Sequence, residues 1–101
     1  MRKGILELVV MSILAEREHY GYELVEKLGA RCGIEVSDGT IYTILLRLKG
    51  EDFVTQRWVT LPKGPARKYF CLTDSGREAL REMQKLWAGI TSAVSHSGGE
   101  V

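Results

Sequence analysis

At 101 residues, with 45% hydrophobic residues and a net charge of +1, the chain has room for one small domain and one modest core. No apolar run approaches the roughly 18 residues of a membrane span; Ile5 to Leu14 is too short and carries Glu7, and no signal-cleavage pattern follows, so a cytoplasmic location away from the membrane is expected. Cys32 and Cys71 stand outside any CxxC or Cys/His cluster, which predicts two buried, reduced thiols and neither a metal site nor a cofactor.

In chain order, residues 3–16 form the first periodic block. Ile5, Leu6, Leu8, Val9, Val10, Met11, Ile13 and Leu14 cover most of a helix circumference, so this helix is buried on more than one side. In so small a domain the second side points to a partner chain. Arg17 to Gly21 breaks the pattern. A second helix is expected from about Tyr22 to Cys32, with Tyr22, Val25, Leu28 and Cys32 near helical spacing and Gly33 as its stop.

Ser37 is a good N-cap for a third helix, and Asp38 suits its positive end. Ile41, Leu45 and Leu48 make the inward stripe, with Ile44 beside it. Thr40, Thr43 and Arg47 share another face at i, i+3 and i+7. Val54 to Leu61 reads as a strand, Pro62 to Pro65 as a turn, and Ala66 to Leu72 as the returning strand. Thr73 caps a last helix, where Leu80, Met83, Trp87, Ile90 and Val94 recur as an a/d seam of about two heptads. That is too short for an autonomous coiled coil and long enough to dock on a second helix.

The charge is unevenly spread. Residues 1–36 sum to −1, residues 37–73 to +3 and residues 74–101 to −1. Between 53 and 73 there are four cations, Arg57, Lys63, Arg67 and Lys68, and no acid. A basic hairpin beside a short polar-faced helix is what a winged helix-turn-helix uses on DNA, the helix for the major groove and the hairpin for neighbouring phosphates. The expected fold is therefore mainly α with a small β-hairpin. A winged helix-turn-helix spans 1–73, a dimerisation helix 74–95 and a disordered tail 96–101.

The ordered set of pieces resembles the PadR family of transcriptional regulators. The matching residues are the apolar first helix, Gly21-Tyr22-Glu23-Leu24, Thr40-Ile41-Tyr42 followed by Leu45 and Leu48, Gly64-Pro65-Ala66-Arg67-Lys68-Tyr69-Phe70, and Leu72-Thr73-Asp74-Ser75-Gly76. The resemblance implies a homodimer in which the terminal helix packs on the partner's first helix. It implies repression at inverted-repeat operators in double-stranded DNA, relieved by small planar aromatic molecules. Trp87, fourteen residues after Thr73, stands where multidrug-responsive members place a ligand-facing tryptophan. Three departures bear on sequence preference. Asp52 replaces a usual glycine, Leu46 a usual basic residue and Thr43 a frequent proline.

On this reading the DNA contacts are Tyr22, Ser37, Thr40, Tyr42, Thr43 and Arg47 from the helices, and Lys63, Gly64, Arg67 and Lys68 from the wing. The dimer interface is Leu80, Met83, Trp87, Ile90 and Val94 with Ile5, Leu8 and Val9. Trp87, Met83 and Ile90 are the ligand candidates, with simple packing as the alternative for Trp87. Tyr22 is either a core anchor or a phosphate contact. Trp58 reads as structural packing, and His19 and His96 carry no assigned role. No nucleophile–base pair or phosphate loop is present, so an enzyme is not expected. The competing class is a winged-helix module for protein–protein contact without DNA binding, for which an exposed Leu46 is the one hint.

Overall fold

A computed structural model describes residues 4–99. The order is α1 (Ile5–Glu16), β1 (His19–Tyr20), α2 (Gly21–Cys32), α3 (Asp38–Gly50), β2 (Val54–Val59), β3 (Arg67–Leu72) and α4 (Asp74–Gly99). This is the winged helix-turn-helix expected from the sequence, with one addition. The two wing strands are joined by β1, giving an antiparallel sheet of order β1-β3-β2. His19 and Tyr20, expected in a break between helices, pair with Phe70 and Tyr69.

Three helices and the sheet close on one core. Val10, Met11, Ile13 and Leu14 come from α1, and Ile41, Ile44, Leu45 and Leu48 from α3. Helix α2 contributes Leu24 and Leu28, with Val25 beside them. Of its expected stripe, Leu28 and Val25 face the core but the two ends do not. Tyr22 is 56% exposed, and Cys32 lies on the surface at the helix end rather than in the core. Cys71 is half-buried.

The ends of the elements explain the motifs. Ser37 caps α3 by accepting the Thr40 N–H at 3.1 Å. Helix α3 ends in a Schellman motif: the Asp52 N–H bonds the Lys49 carbonyl and the Phe53 N–H bonds the Leu48 carbonyl, both at 3.0 Å. Asp52 takes the left-handed turn at φ 65° that this motif requires, doing the work of the glycine it replaces. Thr73 caps α4 by accepting the Gly76 N–H at 2.9 Å, while its hydroxyl donates to the Asp52 carbonyl at 2.6 Å. Gly76 itself lies against the same corner. A β-carbon there would fall 2.1 Å from the Phe53 carbonyl oxygen, so only glycine permits this close approach.

Helix α4 leaves the body. Leu80 joins the chain's own core and Met83 packs against it. Leu86, Ile90 and Val94 are exposed, and the molecule reaches 58 Å along its long axis against 28 and 20 Å across. The helix runs to Gly99, past the end expected near 95; Glu100 and Val101 of the expected tail lie outside the described residues.

Candidate nucleic-acid interface

Strand alternation builds the site. On one face of the wing the cross-strand pairs run Val54 with Leu72, Gln56 with Phe70, then Trp58 with Lys68. Val54, Leu72 and Phe70 are buried, so this face starts as core. Two residues further out it passes the edge of the core and overhangs α3. There the Lys68 ammonium donates to the Tyr42 hydroxyl at 3.1 Å. The same nitrogen lies 5.2 Å from the centres of both the Tyr42 and the Trp58 rings. Beside it, Arg67 stacks 4.4 Å over the Tyr20 ring, which meets Tyr69 edge-on at 5.3 Å.

Two shallow grooves meet here. One, of about 380 Å³, lies between the wing and the helices and is lined by Tyr20, Gly21, Tyr42, Trp58, Arg67, Lys68 and Phe70. The other, of about 340 Å³, runs between the starts of α2 and α3, lined by Gly21, Tyr22, Asp38, Gly39, Ile41, Tyr42 and Leu45. Gly21 and Tyr42 belong to both, so the surface is continuous from helix pair to wing. Tyr22 and Tyr42 project from it, 56% and 45% exposed.

On the outward face of α3, Ser37 donates its hydroxyl to Thr40 Oγ1 at 3.1 Å, and Thr43 donates to the Gly39 carbonyl at 2.9 Å. Thr43 therefore presents a methyl group and an acceptor. Arg47 does not stand free beside them. It forms an ion pair at 2.6 Å with Glu7, a buried carboxylate of α1, and ties the end of α3 to the first helix. Arg57 is also engaged: Glu18 accepts from its Nε at 2.9 Å and from its Nη2 at 2.8 Å. The patch of four wing cations thus reduces to Lys63, Arg67 and Lys68. Gly64 sits at the wing tip with φ 88°, a turn that suits glycine alone.

Three residues of this region are not read as part of the site on the sequence alone. Trp58, read as packing, is 64% exposed and walls the groove. Tyr20 anchors Arg67. Only the hairpin register, setting Trp58 opposite Lys68, could have revealed the first. His19 is fully buried at the base of β1, its Nδ1 donating to the Arg17 carbonyl at 2.8 Å and its Nε2 accepting from Lys27 at 2.7 Å. Burial, with Arg17 and Lys27 nearby, pushes its pKa below the ordinary value, despite the Arg17 carbonyl.

A helix pair, a capped third helix and a basic three-stranded wing define a winged-helix protein. Residues 10–82 match the model of the transcriptional regulator PadR-like family, and the chain belongs to that family. A PadR-like transcriptional regulator of Bacillus cereus is 36% identical, with a TM-score of 0.83 over 92% of this chain and 90% of that one. A transcriptional regulator of Mycobacterium tuberculosis is 28% identical over 97% of this chain and 94% of its own length. PadR of Bacillus subtilis, solved in complex with operator DNA, is 25% identical, with a TM-score of 0.74 over 80% of this chain and 47% of that one.

Proposed function

We propose that this regulator binds operator DNA through α3 and the wing, and that it acts as a repressor. The observation that carries the reading is the junction of Tyr42 and Lys68. A hydroxyl from the recognition helix and an ammonium from the wing meet at 3.1 Å, within a groove that no carboxylate lines. One phosphate bridging that pair fixes the helix and the wing on the same strand. The likeness to a PadR solved with operator DNA supports this reading over a protein-contact module.

In this reading Thr40 and Thr43 meet base edges and thymine methyls. Ser37 and Tyr22 hold the backbone, and Lys63, Gly64, Arg67 and Lys68 follow the phosphates. The test is duplex binding with the wild-type chain and Thr43→Ala, comparing a duplex selected from a random pool with unselected DNA. Thr43→Ala is expected to narrow the gap between the two while leaving affinity for unselected DNA in place. Equal loss on both removes Thr43 from the reading face.

The finer reading is a cytoplasmic homodimer on an inverted repeat. The exposed row Leu86, Ile90 and Val94, with half-buried Trp87 between, supports α4 as the dimer helix. Ile5, Leu8 and Val9 of α1 form the surface it would cover. Trp87, flanked by Met83 and Ile90, suits a planar aromatic ligand, which induces only if it favours a dimer spaced wrongly for the operator. Titration with planar cationic dyes is expected to quench wild-type emission and to fail with Trp87→Ala. The same quenching in both chains excludes Trp87 as the platform. Among the described residues no helix is long and apolar enough to cross a membrane.

A further inference from the structure

We propose that Trp58 is a DNA contact in its own right, its indole packing on the deoxyribose of the nucleotide whose phosphate Lys68 and Tyr42 hold. The inference rests on the DNA-binding reading and adds to it a contact that salt does not screen. An indole that only stabilised the wing would turn into the core, as its strand neighbour Val54 does. Trp58 instead leaves 64% of its surface to solvent, on the face that has already run past the core.

The geometry fits a sugar next to a phosphate. The Lys68 nitrogen lies 5.2 Å from the Trp58 ring and 3.1 Å from the Tyr42 hydroxyl, so one ammonium fixes both aromatic walls of the groove. The Tyr42 oxygen accepts from Lys68 and keeps its own proton to donate. A phosphate oxygen entering there accepts from both groups. The apolar carbons of the attached sugar then fall against the indole, an amphipathic surface that gives large contact at little entropic cost. Phe70, buried in the core, closes the inner end of the groove. The occupant is a sugar–phosphate edge of duplex DNA, and the contact carries no sequence preference.

Because the contact is to backbone, an end-labelled duplex of arbitrary sequence at low salt is a sufficient probe. Binding is read by anisotropy, and the indole by its emission. For the wild-type chain, DNA is expected to move the emission to shorter wavelength as water leaves Trp58, and Trp58→Phe is expected to abolish that shift. Trp58→Ala is expected to bind on the order of tenfold more weakly, the scale of one aromatic contact, with an unchanged dependence on salt. Trp58→Phe retains most of the affinity, which separates loss of contact from loss of fold. DNA binding with neither a Trp58-dependent emission change nor weaker binding by Trp58→Ala overturns the inference and leaves the DNA reading intact. Failure of the wild-type chain to bind any duplex overturns both.

Discussion

His19 carries a pH dependence that its position dictates. Its neutral form is satisfied twice, giving a proton to the Arg17 carbonyl and accepting one from Lys27. Protonation would set an imidazolium against the Lys27 ammonium 2.7 Å away, inside the fold. The native state therefore refuses a proton that the unfolded chain accepts. With the folded pKa lowered from 6.5, this stability is complete above that value and is lost as pH falls below it. The slope is at most about 1.4 kcal/mol per pH unit. Glu16 is held low by its hydrogen bond from Arg31, and its window opens only below 4.5. Urea midpoints at pH 7.5 and 5.5 (roughly one unit either side of the ordinary histidine pKa) are expected to fall for the wild-type chain and to hold nearly level for His19→Gln. Parallel changes in the two proteins would assign the loss to other groups.

Helix α4 divides its apolar residues between two uses. Leu80 and Met83 stabilise the chain's own core, whereas Ile90 and Val94 are 45% and 67% exposed. A charge at Met83 would disturb folding and association together. Ile90→Lys with Val94→Lys tests association alone, since an unpaired charge in a desolvated interface costs several kcal/mol. Sedimentation at micromolar concentration is expected to give a dimer for the wild-type chain and a monomer for the double variant. A wild-type monomer contradicts the dimer reading. Helix α4, α3 with its Ser37 cap and the hairpin were legible because periods and caps are local properties of sequence, but the a/d spacing did not show that Leu80 and Met83 go to the chain's own core. What escaped was what depends on tertiary placement. A two-residue strand such as β1 has no period to detect and exists only because β3 offers it an edge. Tyr22 and Cys32 shared a helical spacing with Leu28, and only packing shows that Leu24 takes the inner face instead. Arg47 and Arg57 counted as open cations until the fold brought Glu7 and Glu18 to them, from forty and thirty-nine residues away in sequence.

At the scale of the whole molecule a net charge of +1 gives little long-range pull toward DNA. Affinity has to come from a few cations held in place, and the fold supplies such placement. Gly76 lets α4 start hard against the corner between α3 and β2, so α4, α3 and the wing meet at one junction. In the proposed dimer, a shift in how two α4 helices pack would change the spacing of the two α3 helices. In the proposed dimer, with one wing per subunit, neutralising a single wing residue would remove two phosphate contacts. The most direct measurement is the slope of log affinity against log salt on a duplex of fixed sequence, for the wild-type chain and Lys68→Gln. The slope is expected to become shallower by about 1.8, two contacts at roughly 0.9 each. An identical slope for the two proteins would contradict the wing as a phosphate clamp and, with it, the placement of DNA across α3.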